Sequence, residues 1–331
     1  MNKLTKIGVS ALCGSLAAIS AASAGEMSVS GGATVTYTQL SEGDNGNPLG
    51  MASGVGFSGS GELDNGNAVS FNVTHDDQNA YSSSDVSLTT SLGKFTFDQG
   101  GGTGIDRYDD AMPTAWEESY DTGIGTGLVT ISGTGGGTDI EWSVSEDMLP
   151  EGMNVYVSYS PKPDGVTVND KSTSGATSNS VSGKGYDIVV SSSGLGDGLT
   201  VFGGISSIDQ GDQDHGGHVL GFTYAMGGAT VGYQVSKDNV SSKTVDGYDN
   251  SAYGISFSVN DDLSISYGQH KSEKIDGALQ GIEVKSSSFQ AAYTMGGATL
   301  KVAQSSADNV LYASGSANER DATTVALSLA F

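Results

Sequence analysis

The final segment of the chain alternates strictly between two kinds of side chain. A period of two residues is the signature of an extended strand, because successive side chains of a strand point to opposite faces. One face here is bulky and mostly apolar, and the other is small and weakly polar. The bulky face carries Thr323, Val325, Leu327, Leu329 and Phe331, and the small face carries Ala322, Thr324, Ala326, Ser328 and Ala330.

The same division recurs along most of the chain. Tyr253, Ile255 and Phe257, for example, alternate with Gly254 and Ser256. An even number of antiparallel strands would place both ends of the chain on one side of the sheet. The pattern predicts about sixteen strands, near residues 27–38, 51–63, 68–76, 83–91, 94–99, 137–145, 153–161, 184–192, 199–206, 218–225, 229–236, 251–259, 262–270, 285–294, 298–305 and 321–331.

The connections between these strands alternate in length. Short turns rich in Gly, Asn and Asp, such as residues 64–67 and 260–262, are typical of hairpins. This asymmetry predicts an all-β fold, namely a transmembrane antiparallel up-and-down β-barrel with short periplasmic turns and long extracellular loops. The long connections are residues 39–50, 77–82, 162–183, 207–217, 237–250, 271–284 and 306–320, and residues 100–136 form the longest.

The small face of the predicted strands cannot pack a protein core. Gly, Ser, Thr, Ala and Gln leave too little volume to fill an interior at native density. The bulky face is therefore expected to meet lipid, and closing the sheet pairs every backbone group that a bilayer cannot solvate. Strands of about nine residues agree with the roughly 9–11 residues that cross a bilayer at a tilt. The alternative is a soluble, Tyr-rich sandwich whose bulky face points inward.

The first 24 residues have the features of a secretory signal peptide. Two lysines precede an apolar stretch at residues 7–19, and Ala-Ser-Ala at residues 22–24 suits a signal peptidase. The apolar stretch is too short to span a bilayer. Cys13, the only cysteine, lies in this stretch, but the residue three positions before it is Ser10 and not the Leu of a lipidation site. We expect cleavage after residue 24 and a barrel domain at residues 25–331 with neither thiol nor disulfide.

Charge and motifs argue against several functions. The chain has 14 Lys and Arg against 38 Asp and Glu, a net charge of −24. Nucleic acid requires a basic face, so no nucleic-acid partner is expected. No nucleophile elbow or phosphate loop is present, so the chain is not expected to be an enzyme. A secreted acidic adhesin would share the abundance of Gly, but its calcium-binding nonapeptide repeats are missing.

This combination of features resembles the general porins of Gram-negative bacteria, and most of all their alphaproteobacterial, sixteen-stranded branch. The resemblance covers the whole chain after the leader and rests on the terminal Phe331, the strand count and the outsized loop after the fifth strand. It implies a homotrimer in the cell outer membrane, in contact with lipid and lipopolysaccharide. It also implies a water-filled channel for passive diffusion of small hydrophilic solutes and ions, narrowed by a third loop folded into the lumen.

A substrate-specific channel of the same fold is the alternative to a general pore. Such a channel would line its lumen with residues chosen for one solute. Tyr156 and Phe202 are the only obvious aromatic residues predicted to point inward. The sequence therefore favours general diffusion.

Residues 100–136 are the predicted constriction loop. In the family, acids of this loop face basic residues on the barrel wall, but no Lys or Arg occurs here between residues 7 and 93. This excess of carboxylates predicts a weakly cation-selective pore, unless the acids are only solvated or pair through bound cations. The loop carries Asp106, Asp109, Asp110, Glu117, Glu118 and Asp121 with a lone Arg107, and the candidate wall residues are Glu62, His75, Lys94, Asp98 and Lys301.

Clustered acids could also hold calcium, which takes oxygen ligands. None of them has the spacing of an EF-hand or of a repeat. His215 and His218 resemble a metal pair only by proximity and are expected in solvent. No other cofactor is expected. The calcium candidates are Asp106, Asp109 and Asp110, with Asp209, Asp212 and Asp214 in the fifth external loop.

Small residues on the outward face of the first two strands mark the predicted contact between subunits. Gly31, Ala33, Gly59 and Gly61 stand where bulky residues are usual. Small side chains allow protein to pack closely against protein. We predict that this wall faces the neighbouring subunits of the trimer.

Overall fold

The computed structural model describes residues 27–41, 46–77, 82–135, 137–163, 183–209, 214–239, 247–275 and 281–331. The predicted signal peptide at residues 1–24 lies outside these residues, so its cleavage stays a prediction. The predicted strands all lie at least in part within them.

Sixteen antiparallel strands close into one barrel, which confirms the predicted fold class and strand count. Each strand pairs with its neighbours along the chain, and the first pairs with the last. The strands are β1 (Met27–Leu40), β2 (Leu49–Glu62), β3 (Ala68–Asp76), β4 (Ser83–Thr90), β5 (Gly93–Gln99), β6 (Thr138–Val144), β7 (Met153–Ser160), β8 (Gly185–Ser192), β9 (Leu199–Asp209), β10 (Asp214–Met226), β11 (Ala229–Asn239), β12 (Gly247–Ser258), β13 (Leu263–Ile275), β14 (Glu283–Met295), β15 (Ala298–Asp308) and β16 (Arg320–Ala330).

The last residue of the chain completes the closure of the barrel. Val35 of β1 is paired with Leu327 of β16, so bulky residues lie side by side across the seam. Beyond the paired register, the backbone of Phe331 donates a hydrogen bond to the Gly31 carbonyl at 2.9 Å and accepts one from its amide at 3.3 Å. The terminal aromatic residue is thus part of the sheet.

The bulky faces of the strands point outward, as predicted. Leu220, Ile205 and Val86 are 64%, 58% and 57% exposed on the outside of the barrel. The alternate residues, such as Ser256 and Ser288, point into the lumen, where both are buried. A belt of exposed apolar side chains around a polar interior is the arrangement that a bilayer requires of a β-barrel. Among the described residues, no helix is long and apolar enough to cross a membrane.

Several strands extend further toward the long loops than the sequence predicts. β12 begins at Gly247 and β13 ends at Ile275, whereas residues 251 and 270 were the expected limits. The apolar alternation stops there, but strand pairing continues with charged residues on the outer face. Lys237 lies 3.3 Å from Asp249, and Lys271 lies 2.9 Å from Glu283. These cross-strand ion pairs replace apolar contacts above the belt.

Candidate functional site

The longest loop, residues 100–137, leaves the wall after β5 and enters the lumen. The Asp98 carboxylate points inward, as predicted, and accepts hydrogen bonds from the backbone amides of Gly100 and Gly101, both at 2.9 Å. Gly101 and Gly102 adopt φ angles of 91° and 86°, which favour glycine. Asp98 therefore fixes the direction in which the loop bends away from the wall.

A 3₁₀ helix, Gly104–Tyr108, then packs on the inner wall of β8 to β10. Ile105 is fully buried there. A Cβ atom on Gly204 or Gly217 would lie 2.7 or 2.9 Å from the Ile105 side chain, so glycine is needed to seat it. The Tyr108 ring stacks on Phe202, with centroids 4.1 Å apart.

Two buried carboxylates of the wall bind the backbone of this helix. Glu141 of β6 accepts a hydrogen bond from the Gly104 amide at 2.9 Å, and Asp187 of β8 accepts one from Ile105 at 2.9 Å. Asp187 also accepts the amide of Thr134 at 3.1 Å, so it joins both ends of the loop. Neither acid was predicted as a site residue, although each points inward from a strand whose alternate residues face outward.

The lone basic residue of the loop is neutralised by the same wall. Arg107 forms an ion pair with Glu141, and its guanidinium lies 3.8 Å from the centre of the Tyr156 ring. Its Nε donates to the Gly104 carbonyl at 2.9 Å. Arg107 therefore offers little positive charge to the passage.

The middle of the loop lies on a row of inward glycines. Gly232 of β11 and Gly254 of β12 are cross-strand partners. A Cβ atom on Gly232 would lie 2.6 Å from Pro113 Cδ, and one on Gly254 would lie 2.7 Å from the Pro113 carbonyl oxygen. Beyond this point, Gln290 of β14 bonds to both backbone groups of Glu117, at 3.1 and 2.6 Å.

Next along the loop, a buried histidine holds two successive residues. Nδ1 of His270 on β13 lies 2.9 Å from Ser119 Oγ, and Nε2 lies 3.2 Å from a carboxylate oxygen of Glu118. Burial, and next the nearby Asp110, raise the pKa of Glu118 well above its ordinary value. His270 was not predicted either.

The far end of the loop reaches β15 and β16 and packs against the connection between these two strands, residues 309–319. Thr122 Oγ1 lies 2.6 Å from Ser305 Oγ. The Thr324 hydroxyl donates a hydrogen bond to the backbone carbonyl of Thr122 at 2.7 Å. The Tyr312 hydroxyl accepts the amide of Val129 at 3.0 Å. The loop is thus bound to the wall from β6 around to β16.

The opposite wall remains open to solvent. We call the inward faces of β2 to β4 the open wall, because Thr38 and Leu40 of β1 still lie against Gly123 and Ile124 of the loop. Ser60, Asn72 and Thr89 are exposed there, whereas the equivalent Ser266 and Ser305 beneath the loop are 4% and 1% exposed. The passage therefore runs between the constriction loop and the open wall.

The open wall contains acids and no Lys or Arg. Glu62, Asp76 and Asp85 face the lumen from β2, β3 and β4. Asn72 donates to both oxygens of Asp85, at 3.1 and 2.9 Å. The passage is thus bordered by carboxylates on this side as well as on the loop.

The predicted wall residues fall in different places. Glu62 lies at the turn end of β2, and Lys94 faces the lumen at the turn end of β5, both exposed. Lys301 points inward, with Nζ 5.6 Å from the Trp116 ring, and interacts electrostatically with Glu117. The prediction for His75 is wrong: it is paired with the outward Val55 and shares the outer face of β3 with Phe71.

Comparison with known proteins is consistent with this geometry. The family described as Gram-negative porin matches residues 8–331. The chain belongs to this family. It is therefore an outer-membrane β-barrel that serves as a channel for passive diffusion. No curated protein matches the chain.

Solved porins share the fold of this porin at low sequence identity. OmpF of Salmonella typhi, solved in complex with daunomycin, is 14% identical with a TM-score of 0.69, over 93% of this chain and 98% of that one. OmpT of Vibrio cholerae is 12% identical with a TM-score of 0.68, over 95% and 99%. A mutant of the Rh. blastica porin is 17% identical with a TM-score of 0.58, over 92% and 100%.

Burial changes the ionisation of the loop acids in this porin. The pKa of Asp106 is raised to about 6 by burial and then by the nearby Asp110, against the backbone hydrogen bond from Gly102. Burial, with Asp106 and Asp110 close by, raises the pKa of Asp109 to about 7. Burial also raises the pKa of Asp121. The negative charge of the constriction is therefore sensitive to pH.

The calcium candidates do not gather into a cluster in the described part of the porin. No group of three or more His, Cys, Asp or Glu side chains there could hold a metal ion. Asp212 and the Asp214 side chain lie outside the described residues. His215 contacts Asp238, while His218 is exposed on the opposite face of β10. Calcium binding stays a prediction that the structure gives no site for.

One of the four small residues predicted at the subunit contact, Gly59, is small for a different reason. Gly59 is buried beneath the ring of Phe71, its cross-strand partner, and a Cβ atom would overlap that ring. Gly31, Ala33 and Gly61 are half-buried on the outer face without such a cover. The prediction of a subunit contact therefore rests on these three residues.

Proposed function

We propose that this porin is a weakly cation-selective general diffusion channel for small hydrophilic solutes and ions. The observation that carries the proposal is the open wall, which has no Lys or Arg and faces a loop rich in acids. The basic residues nearest the constriction are engaged: Arg107 pairs with Glu141, and Lys301 lies beside Trp116 and Glu117. Excess carboxylate therefore dominates the passage.

The size of the effect follows from Coulomb's law. Two unit charges about 4 Å apart interact by about 1 kcal/mol in bulk water and by more where water is restricted. Several such acids concentrate cations and repel anions in a narrow pore. Because water and salt in the passage screen the charges, the preference is weak.

A planar-bilayer recording under a potassium chloride gradient tests this selectivity. We expect a reversal potential with the sign of cation preference, and a reduced preference for Asp85→Asn on the open wall. Asp249→Asn on the outer face is the matched control and should leave the reversal potential unchanged. A reversal potential with the sign of anion preference would refute the proposal.

The two aromatic residues that the sequence predicts to point inward support general rather than specific transport. Phe202 is covered by Tyr108, and Tyr156 is covered by Arg107. Phe202 is buried, and Arg107 occupies one face of the half-buried Tyr156 ring, so these two rings leave little surface for a solute to stack on. Liposome swelling with solutes of graded size tests this: we expect a smooth size cutoff, and one strongly favoured solute would instead establish a substrate-specific channel.

The same proposal includes a homotrimer without enzymatic activity, surrounded by outer-membrane lipid and lipopolysaccharide. OmpT of Vibrio cholerae has been solved in a trimer form. The small outward residues Gly31, Ala33 and Gly61 support a protein contact at this wall. Cysteines placed at Gly31 and Ala33 should cross-link neighbouring subunits, and a lack of cross-links in an intact oligomer would refute this interface.

A further inference from the structure

A small cavity lies between the constriction loop and the wall that the loop covers. It encloses about 10 Å³, roughly the room that one water molecule or one small ion needs. The loop and three adjacent strands surround it. Its lining includes Asp109 and Ile131 of the loop, Gln234 and Ser236 of β11, Asn250 of β12 and His270 of β13.

Two amide oxygens of the wall are buried without a hydrogen-bond donor. Gln234 is 6% exposed, and its Oε1 has no partner among the described residues. The same holds for Oδ1 of Asn250. The Gln234 amide nitrogen donates to the Tyr108 carbonyl at 2.7 Å. Because a carbonyl can only accept, the group of Gln234 that faces Tyr108 must be its NH₂. The atom without a hydrogen-bond partner is therefore the amide oxygen, Oε1.

The basic groups in the lining are engaged elsewhere. His270 directs Nδ1 toward Ser119 and Nε2 toward Glu118. Lys271 places its ammonium 2.9 Å from Glu283. The Asn250 amide nitrogen lies 3.4 Å from Ser236 Oγ. The polar groups of the lining therefore offer an occupant mainly oxygen acceptors, with Asp109 as the one acid, while Leu128, Ile131 and Ala252 make part of the lining apolar.

We propose that this cavity binds one alkali cation of the size of potassium, held by Gln234 Oε1, Asn250 Oδ1 and the Asp109 carboxylate. Carboxylate and amide oxygens are the ligands that hard cations prefer. One carboxylate balances one positive charge, whereas calcium sites gather several acids. The ion joins Asp109 of the loop to β11 and β12, so the position of the constriction depends on the cation that the pore conducts.

Anomalous X-ray diffraction tests the site directly. Crystals of the whole porin are grown in choline acetate and soaked in thallium(I) acetate, because thallium(I) replaces potassium in oxygen sites. We expect an anomalous peak in the cavity. We also expect a higher melting temperature in potassium acetate than in choline acetate at equal ionic strength. No peak in the cavity, with equal melting temperatures, would show that it holds water only and would overturn the proposal.

Variants at Asn250 separate a bound ion from a general effect of charge. Asn250→Asp adds a carboxylate and should lower the half-saturating potassium concentration on the order of tenfold. Asn250→Leu removes a ligand and should abolish the potassium-dependent shift in melting temperature. If Asn250→Leu retains that shift, the proposal is overturned.

Asn154 on β7 provides the matched control. It faces the lumen and lies 3.4 Å from Ser191 Oγ across the strand pair, the same contact that Asn250 makes with Ser236. Asn154→Asp therefore adds the same charge outside the cavity and should keep the potassium response of the unchanged porin. Equal responses of Asn154→Asp and Asn250→Asp would overturn the proposal. These measurements do not involve ion conduction, so they stand apart from the test of cation selectivity.

Discussion

His270 on β13 directs Nε2 to within 3.2 Å of a carboxylate oxygen of Glu118 in the constriction loop. Its other ring nitrogen lies 2.9 Å from Ser119 Oγ. Ser119 and Ser286 of β14 also bond reciprocally, hydroxyl to carbonyl, at 3.0 and 2.8 Å. One short stretch of loop is thus bound to two adjacent strands.

Replacing this histidine should loosen the constriction. In His270→Ala, Glu118 loses its contact with Nε2 and keeps the hydrogen bond from the Met112 amide, at 3.2 Å, and an unsatisfied buried group costs about 1–3 kcal/mol. We expect larger fluctuations in the open-channel current of single pores in planar bilayers. The control is His218→Ala, since His218 is exposed on the outer face. Equal current noise in the two variants would contradict the role assigned to His270.

The cation preference should depend on pH within an unusual range. Burial raises the pKa of Asp106 to about 6. As the pH falls through this value, the loop takes up a proton and loses negative charge, so the reversal potential should move toward zero. In Asp106→Asn, this step should be missing. A preference that stays constant down to about pH 4, where free carboxylates titrate, would contradict this.

The same shift gives the sign of a stability effect. An acid whose pKa is raised in the folded porin binds more protons there than in the unfolded chain. The free energy of unfolding should therefore decrease as the pH rises from about 4 toward about 6. Denaturant melts over this range measure the slope.

The glycine row beneath the loop should be sensitive to single methyl groups. In Gly254→Ala, the new Cβ atom would meet the Pro113 carbonyl oxygen at 2.7 Å, so the loop must shift into the passage. Overpacking of this kind typically costs 1–3 kcal/mol. We expect a smaller single-channel conductance.

Gly268→Ala is the matched control for this substitution. Gly268 is the cross-strand partner of Gly254, yet its added Cβ would meet only the Tyr253 carbonyl, at 3.6 Å. Its conductance should equal that of the unchanged porin. Equal conductance in both variants would mean that the loop does not rest on this row.

Lys301 should weaken the cation preference in the unchanged porin. Its ammonium lies beside Trp116 and interacts with Glu117, so Lys301→Met leaves the Glu117 charge unopposed. We expect a reversal potential further toward ideal cation selectivity. Lys285→Met removes the same charge from the outer face, beside Asp308, and should have no effect. A shift of equal size in both variants would contradict a local action of Lys301.

Much of the fold could be predicted because alternation is local. Side chains at every second position of a strand share one face, so the bulky Val325 or Phe257 identifies the outward face of its strand, whatever the rest of the chain does. Strand ends were less predictable: beyond residue 270 the outer face becomes charged, as at Lys271 and Glu273, while pairing continues. The wrong prediction that His75 faces the lumen was avoidable, because His75 lies two residues after the outward Val73 and therefore shares its face.

The anchors of the constriction loop could not be predicted in this way. The position and length of the loop indicate what it does, but not which wall residues it touches. Ile105 and Asp187 are 82 residues apart, and Ser119 and His270 are 151 apart. Such pairs meet only because the barrel closes and the loop lies on strands β6 to β16. An inward acid such as Glu141 looks like any lumen residue until that placement is known.

Neighbouring cysteines on opposite faces of β3 test the central claim most directly. Asn72 faces the lumen from the open wall, and Phe71 faces outward. A charged, water-soluble thiol reagent is added during a planar-bilayer recording of Asn72→Cys or Phe71→Cys. We predict that the reagent lowers the current through Asn72→Cys and leaves Phe71→Cys unchanged. A block confined to Phe71→Cys would contradict a water-filled pore lined by the small polar face.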